Sequence, residues 1–446
     1  MPSEIIWGAA TSAYQIEGAT NEGGRGESIW DRFAATPGKI EDGSSGDPAD
    51  DHYHRTRDDV ALMRDLGLQA YRFSIAWPRV QPEGRGQVNR VGLDFYDRLV
   101  DRLLENGIQP FATLYHWDLP QALQDHGGWA NRDIVERFAE YADIVTTRLG
   151  DRVQNWITHN EPWVVAHLGH VTGEHAPGIA NPNIYTTVVH NLLLSHGAAV
   201  PVVRANVRGD AGPAQVGITL NLYPVDPASP HDEDERAAII QDGLQNRWYL
   251  DPLYKGRYPA DIMERLPVEI DTGEMERIAV KTDFLGVNYY SRAVVTMGPN
   301  DTPRSVKPVA GEGYTPDYTS MNWEVYPKGL YDLLMRLARD YNPPRIYITE
   351  NGAAYDDVVG RDGRVEDTRR TAYVQAHTEE VRRARADGAP VAGYFAWSLF
   401  DNWEWAHGYT QRFGLVHVDY KTQKRTLKDS ARWYARFISG EGQDER

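Results

Sequence analysis

The chain has 446 residues, 41% hydrophobic and 25% charged, enough apolar material for a large buried core. Its formal net charge of −17, without a basic stripe, argues against a nucleic-acid partner. The absence of cysteine excludes disulfides, zinc-thiolate centres and cysteine nucleophiles.

Residues 1–14 lack a basic start followed by an apolar run, and no stretch approaches ~18 consecutive apolar residues. The expectation is a cytoplasmic protein with no membrane partner. In chain order, candidate strands are Ile5–Ala9, Ala70–Ile75, Pro110–Leu114, Val153–Thr158, Gln215–Leu220, Phe284–Asn288, Arg345–Thr349 and Val391–Ala396. Helical periodicity separates them. Val60, Met63 and Leu66 recur at three-residue spacing, and Leu93, Tyr96, Leu99, Val100 and Leu103 form one stripe. Leu66-Gly67 and Asn106-Gly107 end these two helices, the glycine taking the position just past the last turn.

Eight strands alternating with helices predict an α/β protein, a single (β/α)8 TIM barrel spanning residues 1–446. Such a barrel needs roughly 250 residues. The surplus is expected in long βα loops at the barrel mouth: Gly169–Thr187, Tyr223–Arg236 and Thr296–Asn322. A doubly wound sheet would want a Gly-x-Gly-x-x-Gly turn after the first strand, and none is there.

Polar and aromatic residues gather at the carboxyl ends of these strands. They are His116-Trp117-Asp118 after the third, His159-Asn160-Glu161-Pro162 after the fourth and Asn288-Tyr289-Tyr290 at the sixth. Glu350-Asn351-Gly352 follows the seventh, and Trp397 with Asn402-Trp403-Glu404-Trp405 the eighth. In a barrel these positions face one cleft. Glu161 and Glu350 would stand across it from each other. Glycoside hydrolysis needs such a pair of carboxyls in different protonation states: one protonates the leaving oxygen, and the other attacks the anomeric carbon or activates water.

Seven motifs in this order resemble family 1 of the glycoside hydrolases, the β-glucosidase family. They are Trp7-Gly8-Ala9-Ala10-Thr11 through Gly18, Tyr71-Arg72-Phe73-Ser74-Ile75, His116-Trp117-Asp118-Leu119-Pro120, Thr158-His159-Asn160-Glu161-Pro162, Gly286-Val287-Asn288-Tyr289-Tyr290, Ile348-Thr349-Glu350-Asn351-Gly352, and Trp397-Ser398-Leu399 with Asp401–Trp405. Arg412-Phe413-Gly414-Leu415 extends the match. The resemblance implies a retaining β-glucosidase with Glu161 as acid/base, Glu350 as nucleophile, and Arg72 and Tyr290 holding the nucleophile. It implies that Gln15, His116, Asn160, Glu404 and Trp405 hydrogen-bond the non-reducing sugar and that Trp397 is the platform beneath it. Trp117, Asn288 and Phe413 join the substrate-binding set, and Trp323 is placed on the leaving-group side. Glu rather than Gln at 161 separates the chain from the thioglucosidases of the family. The Glu404-Trp405 pair separates it from the 6-phospho-β-glycosidases. The implied substrates are small β-glucosides such as cellobiose or aryl glucosides, with no metal and no organic cofactor.

Electrostatics supports these roles. Arg72 and Tyr290 would favour an ionised Glu350, and that charge would keep the proton on Glu161. Two histidine pairs compete for attention as metal ligands. His52 and His54 are expected at the start of a helix, and His167 and His170 on a helix face or loop without a third ligand nearby.

Overall fold

Eight parallel strands close on themselves: β1 (Ile6–Ala10), β2 (Ala70–Ser74), β3 (Gln109–Tyr115), β4 (Asn155–Asn160), β5 (Gln215–Asn221), β6 (Phe284–Asn288), β7 (Ile346–Asn351) and β8 (Val391–Trp397). Each pairs with its neighbours in sequence, and β8 returns to β1 with Ile6 opposite Gly393 and Ala10 opposite Trp397. The computed structural model describes residues 5–208, 212–309 and 315–440. All eight expected strands are present, with ends displaced by at most two residues. The displacement matters at one end: Asn160, Glu350 and Trp397 lie within the strands, not after them.

The amphipathic stripes become the outer layer. Helix Arg90–Glu105 buries Leu93, Tyr96, Leu99, Val100 and Leu103, and helix His52–Asp65 buries Val60 and Met63. Gly67 and Gly107 follow these helices at φ +72° and +71°, a left-handed conformation that costs glycine little. Helix Tyr185–Asn206 belongs to a 25-residue segment, Pro182–Asn206, apolar enough by composition to cross a membrane. Here it is a core helix: 72% of its apolar window is buried inside the fold.

The barrel interior has its own core. Phe111 meets Phe395 edge-on at 4.9 Å and Tyr347 at 5.1 Å, and Phe284 meets Tyr347 at 5.1 Å. Ala10, Ala70 and Ile157 fill the space between these rings. Phe284 opens β6 and Tyr347 is second in β7, so this plug closes the amino-terminal half of the barrel.

Both strands that lead to the candidate carboxyls carry an irregularity. Side chains on a regular strand alternate between its faces. On β4 the register with β5 shifts between Ile157 and Asn160. Thr158 and His159 then both reach outward, to His196 and Ser195 of the helix behind, and Asn160 turns inward. On β7 the register shifts between Ile348 and Glu350, and Thr349 and Glu350 both reach partners inside the barrel. An extra residue in each strand therefore re-aims a functional side chain, as bulges do beside active sites.

The three expected long loops hold more regular structure than the sequence suggested. Val225–Pro227, Ala293–Met297 and Pro303–Val306 form a three-stranded sheet at the mouth. A helix begins at Asp232, with four acidic residues favourably placed in its first turn. Between His167 and Tyr185 the chain makes a wide helical turn, His167–Thr172, and a tight one, Pro182–Ile184. Residues 310–314 of the third loop fall outside the described residues.

Phe111→Ala should destabilise the fold by about 3–5 kcal/mol, because it empties the centre of the ring cluster. The midpoint of guanidinium unfolding measures this, and a loss under about 1 kcal/mol would mean that the plug repacks.

Candidate active site

The carboxyl ends of the strands surround a cavity of about 740 Å³. Glu350, on β7, is 3% exposed and held from two sides. Arg72, on β2 and without solvent exposure, donates from Nη1 to Oε1 at 2.6 Å, and the Tyr290 hydroxyl donates to Oε2 at 2.6 Å. A guanidinium buried inside a strand is uncommon, and here a carboxylate partner compensates it. Its second amino group donates to Asn160 Oδ1 at 2.6 Å.

That contact orients the next groups. Asn160 Oδ1 also accepts from Asn288 at 3.1 Å, so the nitrogen of Asn160 must face His116 Nε2, 3.1 Å away. His116 Nε2 is then the acceptor, and the ring proton sits on Nδ1. Burial and the Arg72 charge hold the His116 pKa well below its ordinary value. The imidazole is neutral and presents one donor.

Glu161 follows β4 at φ +48° and precedes the short helix Pro162–Ala166. Its amide donates to Thr219 O at 2.9 Å, and its Oε1 accepts from Asn288 Nδ2 at 2.5 Å. Burial, and then the charge of Glu350, raise its pKa to about 8. The same two causes raise Glu404 to about 8. Trp117 and Trp405 also have positive φ, +79° and +50°. Three non-glycine residues in this sparsely populated region, all on the cavity wall, mark a site where surrounding contacts override backbone preference. Gly352 explains the glycine of its motif: a Cβ there would stand 1.7 Å from the Trp397 carbonyl oxygen.

Of the residues expected from sequence, His116, Trp117, Glu161, Asn288, Tyr290 and Glu350 line the cavity. So do Trp323, Trp397, Glu404, Trp405 and Phe413. Three stand behind the wall. Arg72 and Asn160 form the hydrogen-bonded layer just described. Gln15, on the short helix after β1, donates to Asn402 Oδ1 and Trp403 O at 3.0 Å and to Glu404 Oε2 at 3.2 Å. Trp397 lies nearly parallel to the His116 ring at 5.8 Å. Tyr290, Trp323 and Phe413 make a second aromatic group, with centroids 5.1–6.1 Å apart.

The wall also contains Trp163, His175, Asn221 and Tyr223, which the sequence reading missed. Asn221 ends β5, so the rule that found the other positions would have found it too. Trp163 is the second residue of the helix after Glu161 and stacks on His167 at 4.7 Å. The other candidate metal ligands have partners of their own. His170 bonds Val165 O, His52 pairs with Asp59 and His54 with Asp51.

Two buried carboxyls at the mouth of a parallel barrel, one paired with a guanidinium and the other with its acid form favoured, define a glycoside hydrolase. The comparisons agree. The model for glycosyl hydrolase family 1 matches residues 1–443. Beta-glucosidase A of Acetivibrio thermocellus is 48% identical over 99% of this chain and 98% of its own length. Beta-glucosidase A of Thermotoga maritima is 49% identical, with 100% and 99% covered. A solved structure of the family 1 β-glucosidase from Thermotoga maritima superposes with a TM-score of 0.95 at 47% identity, covering 100% of this chain and 99% of that one. The chain belongs to glycosyl hydrolase family 1.

A role for Glu161 as acid toward a leaving group would require it to carry its proton. With its pKa at about 8, kcat/KM for an alkyl β-glucoside should fall above that point, approaching ~tenfold per pH unit. A pH profile of glucose release tests this. An alkaline limb centred in the ordinary carboxylate range, about pH 4–5, would remove Glu161 from the acid role.

Proposed function

We propose that this retaining β-glucosidase removes terminal non-reducing β-D-glucosyl units by double displacement, with Glu350 as nucleophile and Glu161 as acid and then base. The observation that carries the assignment is the clamp of Arg72 and Tyr290 on Glu350, with Glu161 buried beside it.

In the first step a Glu350 carboxylate oxygen bonds to the anomeric carbon. The glycosidic C–O bond breaks, and the leaving oxygen takes the proton of Glu161. Glu350 is now an ester without charge. The part of the Glu161 pKa rise that came from that charge is gone, so Glu161 stays ionised and its carboxylate takes a proton from water. That water attacks the anomeric carbon and Glu350 departs, restoring both groups and the original configuration. Asn160 spends one amide hydrogen on His116, and in this reading the other meets the sugar 2-hydroxyl.

Trp397 serves as the platform under the sugar, with His116, Glu404, Trp405, Trp117 and Asn288 around its hydroxyls. Gln15 acts through Glu404, whose carboxyl it orients. Trp163, Trp323 and Phe413 bound the outer cavity, and they suit a flat or ring-shaped leaving group. A cavity of about 740 Å³ exceeds what one pyranose fills, which supports cellobiose and aryl glucosides as substrates.

Glu350→Gln should lower turnover of nitrophenyl β-glucoside by at least ~10³-fold. Activity within about tenfold of the parent would refute the nucleophile assignment. Glu161→Ala should still form the glycosyl-enzyme from nitrophenyl β-glucoside, because that leaving group needs little acid help. It should then stall, giving a burst of nitrophenol followed by a slow phase. Equal slowing of both steps, for good and poor leaving groups alike, would count against the acid/base role.

A further inference from the structure

Behind the cavity wall lies a closed cluster of six charges. Lys428 has no solvent exposure, and its Nζ donates to Asp357 Oδ2 and Asp401 Oδ1, both at 2.5 Å. Arg370, whose side chain is 1% exposed, contacts Asp357 and Asp367 at 2.7 Å each. Arg412 contacts Asp401 Oδ2 at 2.6 Å. Three cations face three carboxylates, so the cluster is balanced as a unit.

Its members come from the segments that carry the candidate site. Asp357 lies a few residues past Glu350-Asn351-Gly352. Arg370 donates from Nε to Ala353 O at 3.1 Å and from Nη2 to Arg412 O at 2.7 Å. Asp401 lies between Trp397 and Glu404, and its Oδ1 accepts from the Gly414 amide, next to Phe413, at 3.0 Å. Backbone bonds repeat the connection: Ser398 N to Phe413 O, Leu415 N to Ser398 O, and Tyr355 N to Arg412 O. Lys428 is the point at which the segment after β7 and the segment after β8 are joined by charge.

We propose that Lys428 is a positioning residue: it registers the sugar-recognition segment Trp397–Trp405 against the nucleophile segment Glu350–Asp357 by bridging Asp401 and Asp357. The inference rests on the roles assigned to those segments above. Burial of an ammonium is costly, and a methionine of similar length would satisfy packing without it. What methionine cannot do is hold two carboxylates, and so two strand-end segments, at one fixed separation. Small misplacements of a binding segment are expensive, of the order of 10²-fold in rate for ~1 Å.

The test compares three variants of the full chain, each checked for cooperative thermal unfolding. In Lys428→Met, KM for nitrophenyl β-glucoside and the inhibition constant of glucose should rise together by about tenfold or more, with a smaller change in kcat. Asp357→Asn keeps the side-chain shape and removes one of the two negative charges that Lys428 bridges. It should move both constants in the same direction by a smaller factor, and it carries the test if Lys428→Met does not fold. Asp283→Asn is the control. It breaks the ion pair with Arg204 at the opposite end of the barrel, and it should lower the melting temperature without moving KM. Lowered melting temperatures with unchanged KM and glucose inhibition in both cluster variants would overturn the proposal and leave Lys428 a purely structural residue. A rise in KM in Asp283→Asn equal to that in the cluster variants would also overturn it, since destabilisation alone would then suffice. The proposed function fails separately, through the Glu350→Gln result.

Discussion

Two carboxyl groups buried in one cavity cannot both ionise freely, and most of the site follows from that constraint. Glu350 is given a guanidinium and a phenol hydroxyl; Glu161 is given burial and its neighbour's charge, which outweigh the Asn288 amide that favours its ionised form. The chemistry of double displacement needs this division of protonation states before any substrate arrives. It also needs the acid to stay ionised once the nucleophile is esterified, and loss of the neighbouring charge acts in that direction. The contacts around the pair then have little freedom. Arg72 orients Asn160, Asn160 orients His116, and Asn288 ties Asn160 to Glu161. Each donor and acceptor in that chain is settled by the one before it, which is preorganisation in physical terms.

The backbone is bent to the same end. Irregular pairing on β4 and β7 turns Asn160 and Glu350 into the barrel, where strict alternation would have faced them outward. Trp117, Glu161 and Trp405 hold left-handed conformations that bulky side chains disfavour. Such geometry persists only where packing over-determines it. Here Trp117 and Trp405 pack on each other at 4.6 Å, Trp30 packs on Trp405 at 4.6 Å, the Trp117 indole donates to Asn160 O, and the Glu161 amide donates to Thr219 O.

Much of this was legible in the chain. Eight apolar runs separated by helical periods were enough for the barrel, because parallel strands with connecting helices have few other ways to bury both faces. The two glutamates and their aromatic neighbours stood out because a barrel brings the ends of distant strands together. The features that escaped share a cause. A bulge adds one residue without changing composition, so nothing in Thr158-His159-Asn160 announces which side chain turns inward. The three-stranded sheet at the mouth uses runs of three to five residues, too short to show a period. Asn221 is followed by Leu222, Tyr223 and Pro224, so no run of polar residues marks the end of its strand. The charged cluster joins positions 357 to 428, and each member alone reads as an ordinary surface charge.

The aromatic plug has a consequence for traffic. Phe111, Phe284, Tyr347 and Phe395 fill the barrel below the cavity, so traffic is directed to the mouth at the carboxyl ends of the strands. In a double displacement the departing group must leave before water can reach the anomeric carbon. Any hydroxylated molecule that enters in its place stands where the water should be. A sugar set free above this floor leaves through the mouth by which the next substrate enters, so product and substrate share one passage.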